Sequence, residues 1–255
     1  MEELLGRVLA IALLSLRIAP TLAFAPPFTL LRIPSSVRVG FGVALTAAVA
    51  GAQPEATWSA DFLARGLPAV AAGELFMGVG MALSLQLAFA AMLWAGRAID
   101  VQAGFGLALL VDPTTRAQLP LVGTIFAYLA GAIFFAQGGG HDLLAIWAAS
   151  VEAVPLGQAV VGSDPGALAR LLAYVGQVFV IALGLAGFVL LVLFLLDLTV
   201  AFMSRTLPQM NMLLLGFQVK TIALLIALPI GLSLTGVLFV RILRLALENT
   251  AFLLG

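Results

Sequence analysis

Glu74, Asp100, Glu152 and Asp197 stand singly in or beside apolar runs of this chain, as do Arg7, Arg17, Arg97, Arg170, Arg205 and Lys220. An unpartnered charge away from water is expensive, so such groups pair, line an ion path or face other protein. Spacing suggests specific arrangements. Arg97, Asp100 and Gly104 fall at i, i+3 and i+7, on one helical face. There the Arg–Asp pair is able to neutralise itself while Gly104 admits a close neighbour. A specific contact between subunits competes with that reading. Glu74 shares a small-residue face with Gly78, which favours helix packing over a proton relay, and it needs a counter-charge from Arg97 or Arg65.

Asp197 and Lys220 lie almost equidistant from Pro208. A chain reversal there would bring them level across two antiparallel helices; partners on another chain would serve equally well. Between them lies a polar patch with Arg205, Pro208, Gln209 and Asn211, set between two runs that otherwise look membrane-spanning. Backbone-breaking polar chemistry at such a place needs a structural or functional cause. Upstream, the apolar run Gly104 to Val111 passes straight into Asp112-Pro113, which is a helix stop. Leu107 and Leu110 there either fill a core or form an apolar constriction.

Catalysis finds no support. His141 is the only histidine, and after three glycines it is expected in a loop; with Asp142 it does not make a metal site. There is no cysteine, and no serine elbow, Walker loop or dinucleotide fingerprint. No cofactor is expected.

The elements that must position these residues are apolar. The chain has 255 residues, 63% hydrophobic and 9% charged, with a mean hydropathy of +1.18. Soluble domains carry roughly 25% charged residues, so this one belongs in a membrane or a hydrophobic assembly. A net charge of zero argues against a nucleic-acid partner. Apolar segments of helical character run over 4–24, 37–52, 67–96, 119–136, 142–161, 171–203 and 221–247. Several reach the ~20 residues needed to cross a hydrocarbon core. Prolines and glycines punctuate them, and Ser163-Asp164-Pro165-Gly166 is the cleanest linker. The start, with Glu2 and Glu3, does not look like a removed signal peptide. Because the charges are scattered, loop counting assigns no orientation. That scatter slightly favours helices packed against protein over a transport path.

These residues match a known pattern. Leu207-Pro208-Gln209-Met210-Asn211 followed by Gly216-Phe217-Gln218-Val219-Lys220 resembles the signature of the FliR family of flagellar export-gate proteins and their injectisome SctT counterparts. Other motifs agree in order: Arg17 with Pro20 and Pro26, Pro34 with Arg38, Gly73-Glu74, Gly96 to Gly104 around Ile99, Asp100 and Gln102, Asp112-Pro113, Gly140-His141, and Pro155 to Gly157. The resemblance covers nearly the full length, and the Pro-Gln-Met-Asn form looks more flagellar than injectisome.

The resemblance implies an all-α, membrane-associated fold of helical hairpins inside a right-handed helical multi-subunit assembly. A P-type-like portion, 1–166, would be fused to a Q-type-like two-helix hairpin, 167–255. Partners would be P-type and Q-type gate subunits, a FlhB-type switch subunit, unfolded export substrates and membrane lipid of the inner membrane at the flagellar basal body. A pore plug would occupy about 106–118, with Leu107, Leu110, Val111, Asp112 and Pro113; Leu107 and Leu110 stand where family members often carry Phe. Glu74, Arg97, Asp100, Gln102, Gly104, Asp197, Arg205, Pro208, Gln209, Asn211 and Lys220 would serve helix packing and subunit contacts. The competing functional class is a self-contained secondary transporter using Glu74, Asp197 and Lys220. A scaffold with no passage of its own is a third.

Overall fold

The computed structural model describes residues 2–57, 66–105, 110–111, 118–158, 166–206 and 212–252. Among these residues the helices are α1 (Glu2–Phe24), α2 (Ser35–Ala52), α3 (Pro54–Thr57), α4 (Leu67–Ala103), α5 (Leu121–Ala136), α6 (Gly139–Ala153), α7 (Ala167–Thr206) and α8 (Met212–Phe252), with a 3-10 turn at Phe28–Leu30. The fold is all-α. One small exception lies between α4 and α5, where β1 (Leu110–Val111) and β2 (Gln118–Leu119) pair antiparallel, Leu110 opposite Leu119 and Val111 opposite Gln118.

Local chemistry explains the helix ends. The N–H groups of Val37 and Arg38 donate to the Pro34 carbonyl and open α2. α4 stops where Gly104 turns left-handed, φ +87°, with its N–H donating to Val101. α5 breaks at left-handed Gly138, and α6 resumes at once, bent 70° from α5. His141, expected in a loop, therefore lies exposed in the first turn of α6. That helix ends at Ala153 rather than near 161, because Pro155 disfavours helical backbone at Val154. Of the expected linker, Ser163 to Pro165 lie outside the described residues.

Among the described residues, α1, α2, α4, α7 and α8 are long and apolar enough to cross a membrane; the bent α5–α6 pair would make a sixth span. α4, α7 and α8 have 37, 40 and 41 residues. At about 1.5 Å per residue they are roughly 55–60 Å long, about twice a hydrocarbon core of ~30 Å.

Contacts gather the chain into two compact units: 1–88 with 131–175 and 243–255, and 89–130 with 176–242. This grouping by contact differs in kind from the 1–166 and 167–255 division, which concerns resemblance to two subunit types. In the first unit Leu14, Ile18, Met81, Leu85, Trp147 and Val151 are buried; in the second Met92, Ile99, Phe126, Leu193 and Phe239 are. Glycine sets two close crossings. A Cβ on Gly78 would lie 2.3 Å from the Leu16 carbonyl oxygen of α1. A Cβ on Gly96 would lie 2.2 Å from the Gly123 Cα of α5. Much apolar surface is left uncovered, including Leu5, Val180, Leu225 and Val237.

Candidate functional site

Two polar clusters hold some of the ionisable residues that the sequence placed among apolar helices: Arg17 with Glu74, and Asp100 beside Asp197 and Lys220. The first lies in the first unit, beside the α1–α4 crossing. Arg17 Nε donates to Glu74 Oε2 at 2.6 Å and Nη2 donates to Glu74 Oε1 at 2.9 Å, a bidentate pair. Both side chains are 0% exposed. Nη1 donates to the carbonyls of Ser150 and Val154, each at 2.8 Å, at the C-terminal end of α6 where a cation is favoured. The N–H of Gly157 donates to Glu74 Oε1 at 3.2 Å.

The counter-charge for Glu74 is thus Arg17. The expectation that Arg97 supplies it is corrected, and Arg65 lies outside the described residues. The cause is packing. Gly78, one turn along α4 from Glu74, admits the α1 backbone at Leu16 and Arg17, which delivers the guanidinium to the carboxylate. The charges balance internally, which suits a helix-packing role.

The second cluster lies in the second unit, around the last turn of α4. Asp100 is buried, and both its carboxylate oxygens accept from the Val122 N–H at 3.2 and 3.1 Å. The amides of Leu121 and Gly123 face it as well. The carboxylate therefore caps the first turn of α5, where N–H groups lack helical partners. Self-neutralisation with Arg97 is corrected: Arg97 is exposed, while the Asp100 carboxylate is buried against the α5 amides. The i, i+3 spacing is present, but burial sends the two side chains to different surroundings.

Two residues on, Gln102 Nε2 donates to Asp197 Oδ2 of α7 at 2.6 Å. Lys220 Nζ of α8 pairs with Asp197 Oδ1 and donates to the Gln102 carbonyl at 3.1 Å. The structure thus brings Asp197 and Lys220 together and adds Gln102 between them. The two ionised side chains are part-exposed, 36% for Asp197 and 19% for Lys220. Phe217, one turn before Lys220, packs on the exit of α4. A Cβ on Gly104 would be 3.2 Å from its ring, and the ring of Phe105 meets it edge-on at 5.9 Å.

Of the expected plug residues, Leu110 and Val111 form β1, while Leu107, Asp112 and Pro113 lie outside the described residues. Arg205 is exposed at the end of α7, and Pro208, Gln209 and Asn211 lie outside the described residues. Sequence reasoning gave no role to Phe217, nor to a third polar contact in the first unit. There Tyr174 donates its O–H to the Ser84 carbonyl, and Asn249 Nδ2 donates to Ser84 Oγ at 2.7 Å. The available signal was a polar residue recurring inside each of three apolar helices. Among the described residues no three His, Cys, Asp or Glu side chains gather to hold a metal ion.

The chain is similar to known proteins over most of its length. The family model described as bacterial export proteins, family 1, matches residues 8–246. The flagellar biosynthetic protein FliR of Bacillus subtilis (strain 168) is 31% identical over 185 residues, 71% of this chain and 71% of that protein. FliR of Escherichia coli (strain K12) is 26% identical over 224 residues, 88% of this chain and 81% of its own length. FliR of Pectobacterium carotovorum subsp. carotovorum is 29% identical over 223 residues, 87% and 81% respectively.

Proposed function

This chain belongs to the family of bacterial export proteins, family 1, and from that premise we propose that it is a non-enzymatic core subunit of the flagellar protein export gate. It sits in the bacterial inner membrane at the flagellar basal body. There it helps to form and close the channel through which unfolded flagellar proteins leave. The observation that carries this reading is the family match over residues 8–246, together with likeness to FliR proteins across most of the chain. Its partners are P-type and Q-type gate subunits and a FlhB-type switch subunit. Residues 1–166 act as the P-like portion and 167–255 as the Q-like hairpin.

Three physical features support an assembly over a lone span bundle. α4, α7 and α8 are about twice as long as a membrane crossing requires. Large apolar side chains such as Val180 and Val237 are uncovered along them. The buried charges are balanced inside the chain, which makes them compatible with protein surroundings. The same balance argues against an ion-coupled transporter. Both Glu74 oxygens are already taken, and Asp197 and Lys220 neutralise each other.

The segment 106–118 closes the channel as a plug, with Leu107 and Leu110 as its apolar bulk. Two experiments test the proposal. Purification in mild detergent is expected to bring P- and Q-type subunits with the chain; solute transport by the chain alone would overturn the assignment. Replacing Leu107 and Leu110 by alanine is expected to raise the small-solute leak of resting membranes, and an unchanged leak would remove the plug.

A further inference from the structure

We infer that Gln102, Asp197 and Lys220 form a positioning latch that fixes where the chain leaves α4. The inference deepens the export-gate reading and rests on it only for the word plug. The latch itself involves residues 100–105, 110–111 and 118–123, with Asp197 of α7 and Phe217 and Lys220 of α8.

Several contacts converge on one turn. The last carbonyls of a helix lack internal partners and carry the negative end of its dipole. Lys220 supplies a cation there by donating to the Gln102 carbonyl. Asp197 balances that cation and also accepts from the Gln102 side chain. Phe217, on the same face of α8 as Lys220, covers Gly104 and stacks edge-on against Phe105. Thus α7 and α8 together hold the main chain and the side chains at the α4 exit. The re-entry is held from the same turn, because Asp100 caps the first amides of α5. Between exit and re-entry, the β1–β2 pair draws the two limbs together at Leu110–Leu119 and Val111–Gln118.

The two clusters differ in exposure. Arg17 and Glu74 are sealed from water, whereas Asp197 and Lys220 are part-exposed.

Hydrogen exchange of the chain, purified in mild detergent with the subunits that accompany it, tests the latch. In Lys220→Met, the amides of 101–105, 110–111 and 118–119 are expected to exchange about tenfold faster or more, while those of α1 and α6 do not change. Gln102→Leu, which leaves the ion pair intact, is expected to show a smaller rise at the same amides and keeps the test open if Lys220→Met assembles poorly. Lys220→Arg, which retains a cation with donors, is expected to restore slow exchange. Unaltered exchange in both Lys220→Met and Gln102→Leu, or an equal rise throughout the chain, would overturn the proposal. The leak of the Leu107 and Leu110 variants separates the two readings. Leak there with unaltered exchange in the latch variants removes the latch and keeps the plug. Faster exchange without any leak keeps the latch and removes the plug.

Discussion

Arg17 and Glu74, 57 positions apart, meet as a bidentate ion pair with neither side chain exposed. Removing one partner strands a buried charge, at a cost of about 3–5 kcal/mol. Arg17→Leu and Glu74→Leu are each expected to abolish most folded protein. In Arg17→Leu the carbonyls of Ser150 and Val154 also lose their donor. The Arg17→Leu/Glu74→Leu double variant is expected to fold better than either single, since no charge is left behind. Detergent-solubilised yield and melting temperature check the order, and a double variant worse than both singles would refute it.

Asp100 and Arg97 separate a tertiary cap from a surface charge. Asp100→Ala leaves the first amides of α5 without an acceptor, a loss of about 1–2 kcal/mol. Amide exchange is expected to quicken at Leu121, Val122 and Gly123 and nowhere else in α5. Arg97→Ala is expected to leave those amides unchanged, because the exposed guanidinium is not what holds them; the Asp100 carboxylate is. Equal effects from the two substitutions would restore the self-paired reading.

How far these contacts were legible follows from how local they are. Proline and glycine act on their own neighbours, so Pro34 marked the break before α2; the helix stop expected at Asp112-Pro113 comes earlier, at Gly104, and the segment expected to run to 161 ends at Ala153, ahead of Pro155. Gly138 was read as the start of a longer break, because three glycines and a histidine look like loop; in fact one left-handed residue is enough to turn the chain. The meeting of Asp197 with Lys220 was suggested by their near symmetry about Pro208, a consequence of two helices advancing equally from one turn. Arg17 with Glu74 has no such rule. Their meeting depends on α1 crossing α4 at Gly78, a tertiary fact that spacing does not encode. Gln102 was named for helix packing and subunit contacts, yet its place between Asp197 and Lys220 required three helices to be placed at once.

The Asp197–Lys220 contact is expected to be modest. With Asp197→Asn and Lys220→Met as singles and combined, the double-mutant cycle is expected to yield a coupling of about 1 kcal/mol or less. Part-exposure of both side chains limits the gain. Thermal unfolding of the detergent-solubilised assembly at low and high salt checks this, with the coupling shrinking as salt rises. A coupling of zero at low salt would mean the two charges have other partners.

Glycine crossings give a sharp contrast within one chain. Gly96→Ala puts a methyl group against the Gly123 backbone, where no side chain is able to yield. α4 and α5 must then move apart, with an expected loss of about 1–3 kcal/mol. Gly187→Ala, also helical, meets nothing within 4 Å. There the helix preference for alanine is expected to add up to about 1 kcal/mol. Melting temperatures shifting in opposite directions would bear out the crossing, whereas parallel shifts would contradict it.

The lengths of α7 and α8 carry the last prediction, and the absence of cysteine makes it accessible by a cysteine scan without first removing native thiols. A hydrocarbon core of ~30 Å shelters only about 20 helical residues, yet α7 has 40 and α8 has 41. If the chain serves as a subunit of a larger gate, the remainder of each helix is covered by protein and not by lipid. Single cysteines along α7 at exposed positions such as Val180, Leu191, Leu198 and Phe202 are then expected to fall into two classes. In membranes holding this chain alone, a water-soluble maleimide labels one contiguous stretch of about half the helix. In membranes holding the full set of subunits, that stretch is expected to become protected while the lipid-covered half stays as it was. Protection of all four positions in the chain alone would mean that lipid accommodates the whole helix, and the argument from length to partners would fail.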